Sequence, residues 1–211
     1  MLDRYARGFF TALFTPLARG LRRAGITPDV VTIVGSFGAI LSALIAYPMG
    51  HLFWGTVAVT VFIFSDMLDG ILSRLPGEDG SEPVRTEGQK AWGSFLDSTL
   101  DRVVDFVLFG AVAFWFLTGG GRPDLGALAL ANLALGGVVS YARAKAESLG
   151  LEANVGLAER SERIVLLLVF TGFTGLGLTP WVLYGVLWVL AIASAFTALQ
   201  RVALVRAQTR G

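Results

Sequence analysis

Six stretches of this chain are predominantly apolar over lengths that cross a lipid bilayer, and that leaves few folds open to it. They run near residues 28–50, 52–74, 93–118, 125–146, 161–178 and 181–204. A helix needs roughly 20 apolar residues to traverse the hydrocarbon core. Lipid offers no partner for an unpaired backbone amide or carbonyl, so each stretch is expected to be α-helical. Across the 211 residues, 54% are hydrophobic, more than one soluble core of this size would hide. The expectation is an all-α integral membrane protein with six transmembrane helices in a single domain, 1–211. Pro48 to Gly50, Gly119 to Gly121 and Gly177 to Pro180 mark breaks between spans. Gly35, Gly38, Ser42, Gly110, Gly136 and Gly137, inside the spans, predict close helix packing.

The first 25 residues mix Phe9, Phe10, Leu13, Phe14, Leu17 and Leu21 at helical spacing with Arg4, Arg7, Arg19, Arg22 and Arg23. That pattern predicts an amphipathic helix lying in the membrane interface rather than a cleaved signal. Six spans with the N-terminus inside place Arg122 as the one Lys or Arg in the outer loops, while nearly all other cationic residues fall inside. The positive-inside rule then puts both termini in the cytoplasm of a cell-membrane protein. The polar stretch 75–91, rich in Pro, Gly and charge, is expected as a cytoplasmic loop.

Composition narrows the chemistry. The chain has no Cys and one His, His51, so thiolate chemistry, disulfides and His-rich zinc sites are excluded and a Ser-His-Asp triad is disfavoured. A net charge of +1 gives no electrostatic argument for nucleic acid. Catalysis is left to carboxylates, Arg, Lys, hydroxyls or backbone.

Carboxylates stand where they are costly. A charge well inside a span costs about 2.5–3.5 kcal/mol on insertion scales. Asp66 and Asp69 lie at the inner end of the second span, and Asp97, Asp101 and Asp105 lie in the third. Residues three or four apart share a helix face, so each set forms a stripe. Antiparallel packing of the two spans would bring about four carboxylates together. Like charges that close repel unless a cation intervenes. Oxygen-only ligands select hard divalent ions such as Mg²⁺ or Mn²⁺. Pairing with Arg74 and Arg102 alone would not need two spaced carboxylate pairs. A transporter ion site is the rival from another class, but it leaves Gly70 and Gly93, beside the carboxylates, without a purpose.

At these residues the chain resembles the CDP-alcohol phosphotransferase family. The signature D-x-x-D-G-x-x-A-R followed by G-x-x-x-D-x-x-x-D stands here as Asp66-Met-Leu-Asp69-Gly70-Ile-Leu-Ser73-Arg74 and Gly93-Ser-Phe-Leu-Asp97-Ser-Thr-Leu-Asp101. Ser73 replaces the family's Ala, and the interval between Arg74 and Gly93 is longer than the family's. The resemblance implies a pair of divalent ions held by Asp66, Asp69, Asp97 and Asp101, with Asp101 as ligand or general base. It also implies a CDP-diacylglycerol donor contacted by Asp29, Thr32, Gly70, Arg74 and Lys90, and a homodimer among membrane lipids. Asp105 lies outside the signature and receives no role.

The stretches Thr27 to Thr32, Ser140 to Glu147, Glu159 to Arg163 and Gln200-Arg201 resemble the actinobacterial branch of that family, whose acceptor is inositol phosphate. Arg143, Arg163 and Arg201 match the basic pocket that holds the acceptor phosphate, and bidentate Arg suits phosphate. The implied reaction yields phosphatidylinositol phosphate and CMP. Glycerol 3-phosphate, the acceptor of phosphatidylglycerophosphate synthase, is the alternative, because it too is anionic.

Overall fold

The computed structural model describes residues 14–75, 86–157 and 159–210, and the side chains of Asp66, Met67 and Arg74 fall outside that set. Among the described residues the secondary structure is helix only. Helix α1 covers residues 14–23; the part of the expected interfacial helix before residue 14 lies outside the described residues. Then follow α2 (Pro28–Ala46), α3 (Leu52–Ile63), α4 (Ser65–Arg74), α5 (Glu87–Thr118), α6 (Pro123–Ser148), α7 (Arg160–Gly175) and α8 (Pro180–Gln208). Proline opens α6 and α8 at the first turn, where a missing N–H costs nothing.

Each of the six apolar stretches holds helix. Four are long and apolar enough to cross a membrane: Pro28–Ala46, Leu52–Ser73, Pro123–Ser148 and Pro180–Gln208. The other two fall short for different reasons. Helix α7 has 16 residues, and about 1.5 Å per residue leaves it shorter than the hydrocarbon core. Helix α5 has length to spare at 32 residues, but it carries Asp97, Asp101, Arg102 and Asp105.

Two expected boundaries differ. The second stretch is two helices, α3 and α4, meeting at Phe64, where Ser65 Oγ donates to the Phe62 carbonyl at 2.5 Å. Helix α5, which holds the third stretch, begins at Glu87, so the end of the expected 75–91 loop is helical. Thr86 and Gln89 form a capping box there: Gln89 N–H donates to Thr86 Oγ1 at 3.2 Å, and Thr86 N–H to Gln89 Oε1 at 3.0 Å. Residues 76–85 of that loop lie outside the described residues.

The chain divides into two compact units, 1–41 with 58–104 and 42–57 with 105–211, whose boundaries fall inside α2, α3 and α5 rather than in linkers. In the first unit, Ala18, Val31, Leu72 and Leu75 form a core, with Leu21, Ile26, Leu68 and Ile71 packed on it. Helix α1 thus packs on protein through Ala18 and Leu21. It ends on Gly25 at φ +75°, with Ile26 N–H reaching back to the Leu21 carbonyl at 3.0 Å and both side chains on the core. Arg22 then donates to the Leu75 carbonyl at 3.0 Å, capping the negative end of α4.

The expected close packing at glycine is present on α2. A Cβ built on Gly35 would fall 1.5 Å from Ser65 Oγ, and one on Gly38 would fall 2.2 Å from the Phe62 ring. In the second unit Leu108, Val112, Phe116, Leu125, Leu167, Leu183 and Leu187 are fully or nearly fully buried. Asn132 ties α6 to α8 by donating to the Leu187 carbonyl at 3.0 Å. Trp188, Val189, Ile192, Phe196 and Leu199 are exposed along α8, an apolar exterior that suits lipid.

Candidate active site

In the first unit the face of α2 that packs closely is also the face that meets Asp69. Gly35 admits Ser65, the first residue of α4. One turn back along α2 is Thr32, and one turn on along α4 is Asp69. The buried Thr32 hydroxyl donates to Asp69 Oδ2 and lies 3.1 Å from the Pro28 carbonyl. Two residues expected in separate roles, nucleotide contact and metal ligand, therefore touch. Asp66 lies three residues before Asp69 on the same helix, but its side chain, like that of Arg74, is outside the described residues.

On α5, Asp97 is exposed and Asp101 is partly buried, with Arg102 Nη2 4.0 Å from its Oδ2. Arg102 Nε is buried without a hydrogen-bond partner among the described residues. Lys90 sits in the first turn of α5 and pairs with Glu87 at 2.9 Å, both largely exposed. Among the described residues no three His, Cys, Asp or Glu side chains converge on a metal position, and one of the four expected ligands, Asp66, is outside that search. The donor set is carboxylate oxygen throughout, which fits a hard divalent cation and no softer one.

The second unit gathers two of the three expected acceptor arginines on one turn of α6. Arg163, near the start of α7, is 2% exposed. Its guanidinium lies over Gly136: a Cβ there would sit 3.3 Å from Nε and 3.4 Å from Cζ and Nη2. Arg201, 4% exposed on α8, donates through Nη1 to the Val139 carbonyl at 2.6 Å and through Nε to the Val155 carbonyl at 3.0 Å. Gly136 and Val139 are one turn apart. Arg143 lies one turn beyond Val139, but it is exposed and pairs with Glu147 at 2.8 Å.

A clamp of the 151–157 segment accounts for the depth of Arg201. Gly150, at φ +72°, turns the chain out of α6. Three side chains of α8 then hold the segment by its backbone. Thr197 accepts from Leu157 N–H at 3.1 Å, Arg201 takes the Val155 carbonyl, and Gln208 bonds both backbone groups of Glu152, at 3.0 and 2.6 Å.

No protein-family model matches the chain. It is 45% identical, over 99% of its own length and 84% of the relative's, to phosphatidylinositol phosphate synthase of Streptomyces avermitilis. The chain belongs to the phosphatidylinositol phosphate synthase family. It is therefore an enzyme of the CDP-alcohol phosphatidyltransferase class. The crystal structure of the Mycobacterium tuberculosis phosphatidylinositol phosphate synthase with CDP-DAG bound superposes with a TM-score of 0.81 at 37% identity, covering 92% of this chain and 94% of that one. The same synthase in complex with manganese and citrate gives 0.80 at 38% identity, covering 91% and 88%.

Membership in the phosphatidylinositol phosphate synthase family removes the transporter reading of the carboxylates. It also draws attention to residues without an assigned role in the sequence reading. Asp105 is buried in the second unit, 3.0 Å from Arg160 Nε and 3.6 Å from Arg163 Nη2. Two features of the sequence could have found it: the four-residue step that continues from Asp97 and Asp101, and the three-residue step from Arg160 to Arg163, which puts both cations on one face of α7.

Proposed function

We propose that this protein transfers the phosphatidyl group of CDP-diacylglycerol to inositol 1-phosphate, releasing CMP and giving phosphatidylinositol phosphate. The observation that carries the reading is the complete aspartate signature, Asp66 to Asp101, in a chain 45% identical over nearly its full length to a phosphatidylinositol phosphate synthase. The M. tuberculosis relative solved with CDP-DAG supports the donor, and its manganese complex supports a divalent ion.

Asp66, Asp69 and Asp97, with Asp101 as a further ligand or as the base, are the residues proposed to hold Mg²⁺ or Mn²⁺. When bound, such ions supply positive charge to the donor diphosphate. Asp101 acts as general base. It takes the proton of the inositol hydroxyl as that oxygen bonds to the phosphatidyl phosphorus, and the bond from phosphorus to the CMP oxygen breaks. Asp29, Thr32, Gly70 and Arg74 are assigned to the nucleotide side. Lys90 joins that set, since its exposed pair with Glu87 is weak enough to exchange for a phosphate.

Arg143, Arg163 and Arg201 are assigned to the acceptor phosphate. A guanidinium has five N–H groups, so the two carbonyl bonds of Arg201 do not exhaust it. The membrane reading extends to six spans with α1 at the interface, in a cell-membrane homodimer whose termini and active site face the cytoplasm. The sidedness rests on the confinement of nearly all Lys and Arg to one side, and the homodimer on the family resemblance alone.

The test is CMP release by the purified protein in lipid nanodiscs with Mn²⁺, CDP-diacylglycerol and one acceptor at a time. Turnover with inositol 1-phosphate and none with inositol is expected. A higher kcat/KM with glycerol 3-phosphate would instead make it a phosphatidylglycerophosphate synthase.

A further inference from the structure

We propose that Asp105 is a positioning residue of the acceptor pocket: its single carboxylate fixes the guanidinium of Arg163, braced by Arg160, in the orientation that receives the acceptor's phosphate. The proposal rests on the assignment of Arg163 to that phosphate.

Asp105 is 7% exposed and divides its two oxygens. Oδ1 accepts from Arg160 Nε at 3.0 Å, and Oδ2 lies 3.6 Å from Arg163 Nη2. An aspartate this deep on an apolar helix is costly unless it is paired, and here it meets two cations from one face of α7. The guanidinium it holds is nearly sealed from solvent and seated over Gly136 of α6, which has no Cβ to displace it. Carboxylate on one side and Gly136 on another leave the Arg163 plane little freedom.

Charge points the same way. Among these four residues, Arg160, Arg163 and Arg201 against Asp105 leave two positive charges in excess, and Arg143, paired with Glu147, adds none. A phosphate monoester carries about −1.5 to −2 at neutral pH, so the excess matches the ligand. Without the carboxylate the excess would be three, and the ion pair that orients Arg163 would be lost. Asp105 would thus determine both the net charge and the direction of the pocket while touching neither substrate.

The experiment is steady-state kinetics in nanodiscs on Asp105→Asn, Asp105→Glu, Arg163→Ala and the double variant Asp105→Asn/Arg163→Ala, with thermal midpoints recorded for each. Asp105→Asn should raise KM for inositol 1-phosphate roughly tenfold while KM for CDP-diacylglycerol stays within about twofold, and it should add nothing further in the Arg163→Ala background. Asp105→Glu keeps the buried charge paired but moves it by one methylene. It should raise the acceptor KM several-fold with an unchanged midpoint, which a purely structural role would not do. This variant decides the matter if Asp105→Asn does not purify folded. Equal changes in both KM values, additivity in the double variant, or a wild-type acceptor KM in Asp105→Glu would overturn the proposal. If Arg163→Ala itself leaves the acceptor KM unchanged, the pocket assignment falls and this proposal with it. If Arg163→Ala raises it and the Asp105 variants do not, only the role of Asp105 falls.

Discussion

The Thr32 hydroxyl donates to Asp69 Oδ2. It has one proton and two acceptors in reach, the carboxylate and the Pro28 carbonyl, and the charged acceptor makes the stronger bond. A hydrogen bond to a charged group contributes about 1.5–3 kcal/mol, so the contact orients Asp69 with more than thermal energy. Thr32→Val keeps the shape and removes the proton. It should weaken Mn²⁺ binding, followed by electron paramagnetic resonance, by roughly tenfold or more. Thr32→Ser should stay near wild type. Unchanged Mn²⁺ affinity in the valine variant would confine Thr32 to the nucleotide side.

Gly35 is the reason Thr32 reaches Asp69. A side chain there would overlap Ser65 at 1.5 Å from Oγ and 2.7 Å from Cβ, and α2 would have to move off the start of α4. Overpacking of this kind costs about 1–3 kcal/mol. Gly35→Ala should lower the thermal midpoint in detergent and reduce Mn²⁺ affinity together, because the displaced helix carries Thr32. Adding Ser65→Gly removes both clashing atoms and should recover most of each loss. A midpoint loss that Ser65→Gly fails to relieve would place the strain elsewhere.

The residues that were legible in the sequence are those whose periodicity or cost is local. Helix appears in every apolar stretch because lipid or core leaves backbone no other solution, and Gly35 and Gly38 were recognisable as small residues inside a span. The start of α5 was also written locally, in Thr86-x-x-Gln89, but the charged, Pro-rich composition around it argued louder for loop. What was not legible is tertiary. The break at Phe64 goes with Ser65 bonding back to Phe62 and with the approach of α2. The carbonyls that bury Arg201 belong to α6 and to the segment after it, far off in sequence. Arg143 matches the same family positions as Arg163 and Arg201, yet it lies exposed beside Glu147, a difference of packing that no one-dimensional match contains.

Gly136 gives a way to move Arg163 without touching its charge. A methyl there would stand 3.3–3.4 Å from the guanidinium, tight enough that the side chain must shift by a few tenths of an ångström. At about 1 kcal/mol for such crowding, Gly136→Ala should raise KM for inositol 1-phosphate about fivefold and leave KM for CDP-diacylglycerol alone. Gly137 is the control on the same turn. Its Cβ would meet only the Phe106 ring at 3.4–3.5 Å, ordinary contact, so Gly137→Ala should behave as wild type in both. If the two alanines are indistinguishable, Arg163 is not held where the acceptor needs it.

Asp101 carries the chemical step in the proposed reaction, and an amide at that position separates the role from metal binding. Arg102 Nη2 lies 4.0 Å from Asp101 Oδ2. Asp101→Asn retains an oxygen ligand but cannot accept the inositol proton. General-base catalysis typically contributes about 10²–10⁴-fold, so kcat for CMP release should fall by at least about a hundredfold. Mn²⁺ binding by resonance and CDP-diacylglycerol binding by equilibrium dialysis against nanodiscs should change far less. Asp97→Asn, on the same stripe one turn earlier, should show the opposite balance, with metal affinity lost first and activity partly restored at high Mn²⁺. Should Asp101→Asn lose metal and turnover in parallel, Asp101 is a ligand only, and the base must be sought in another group.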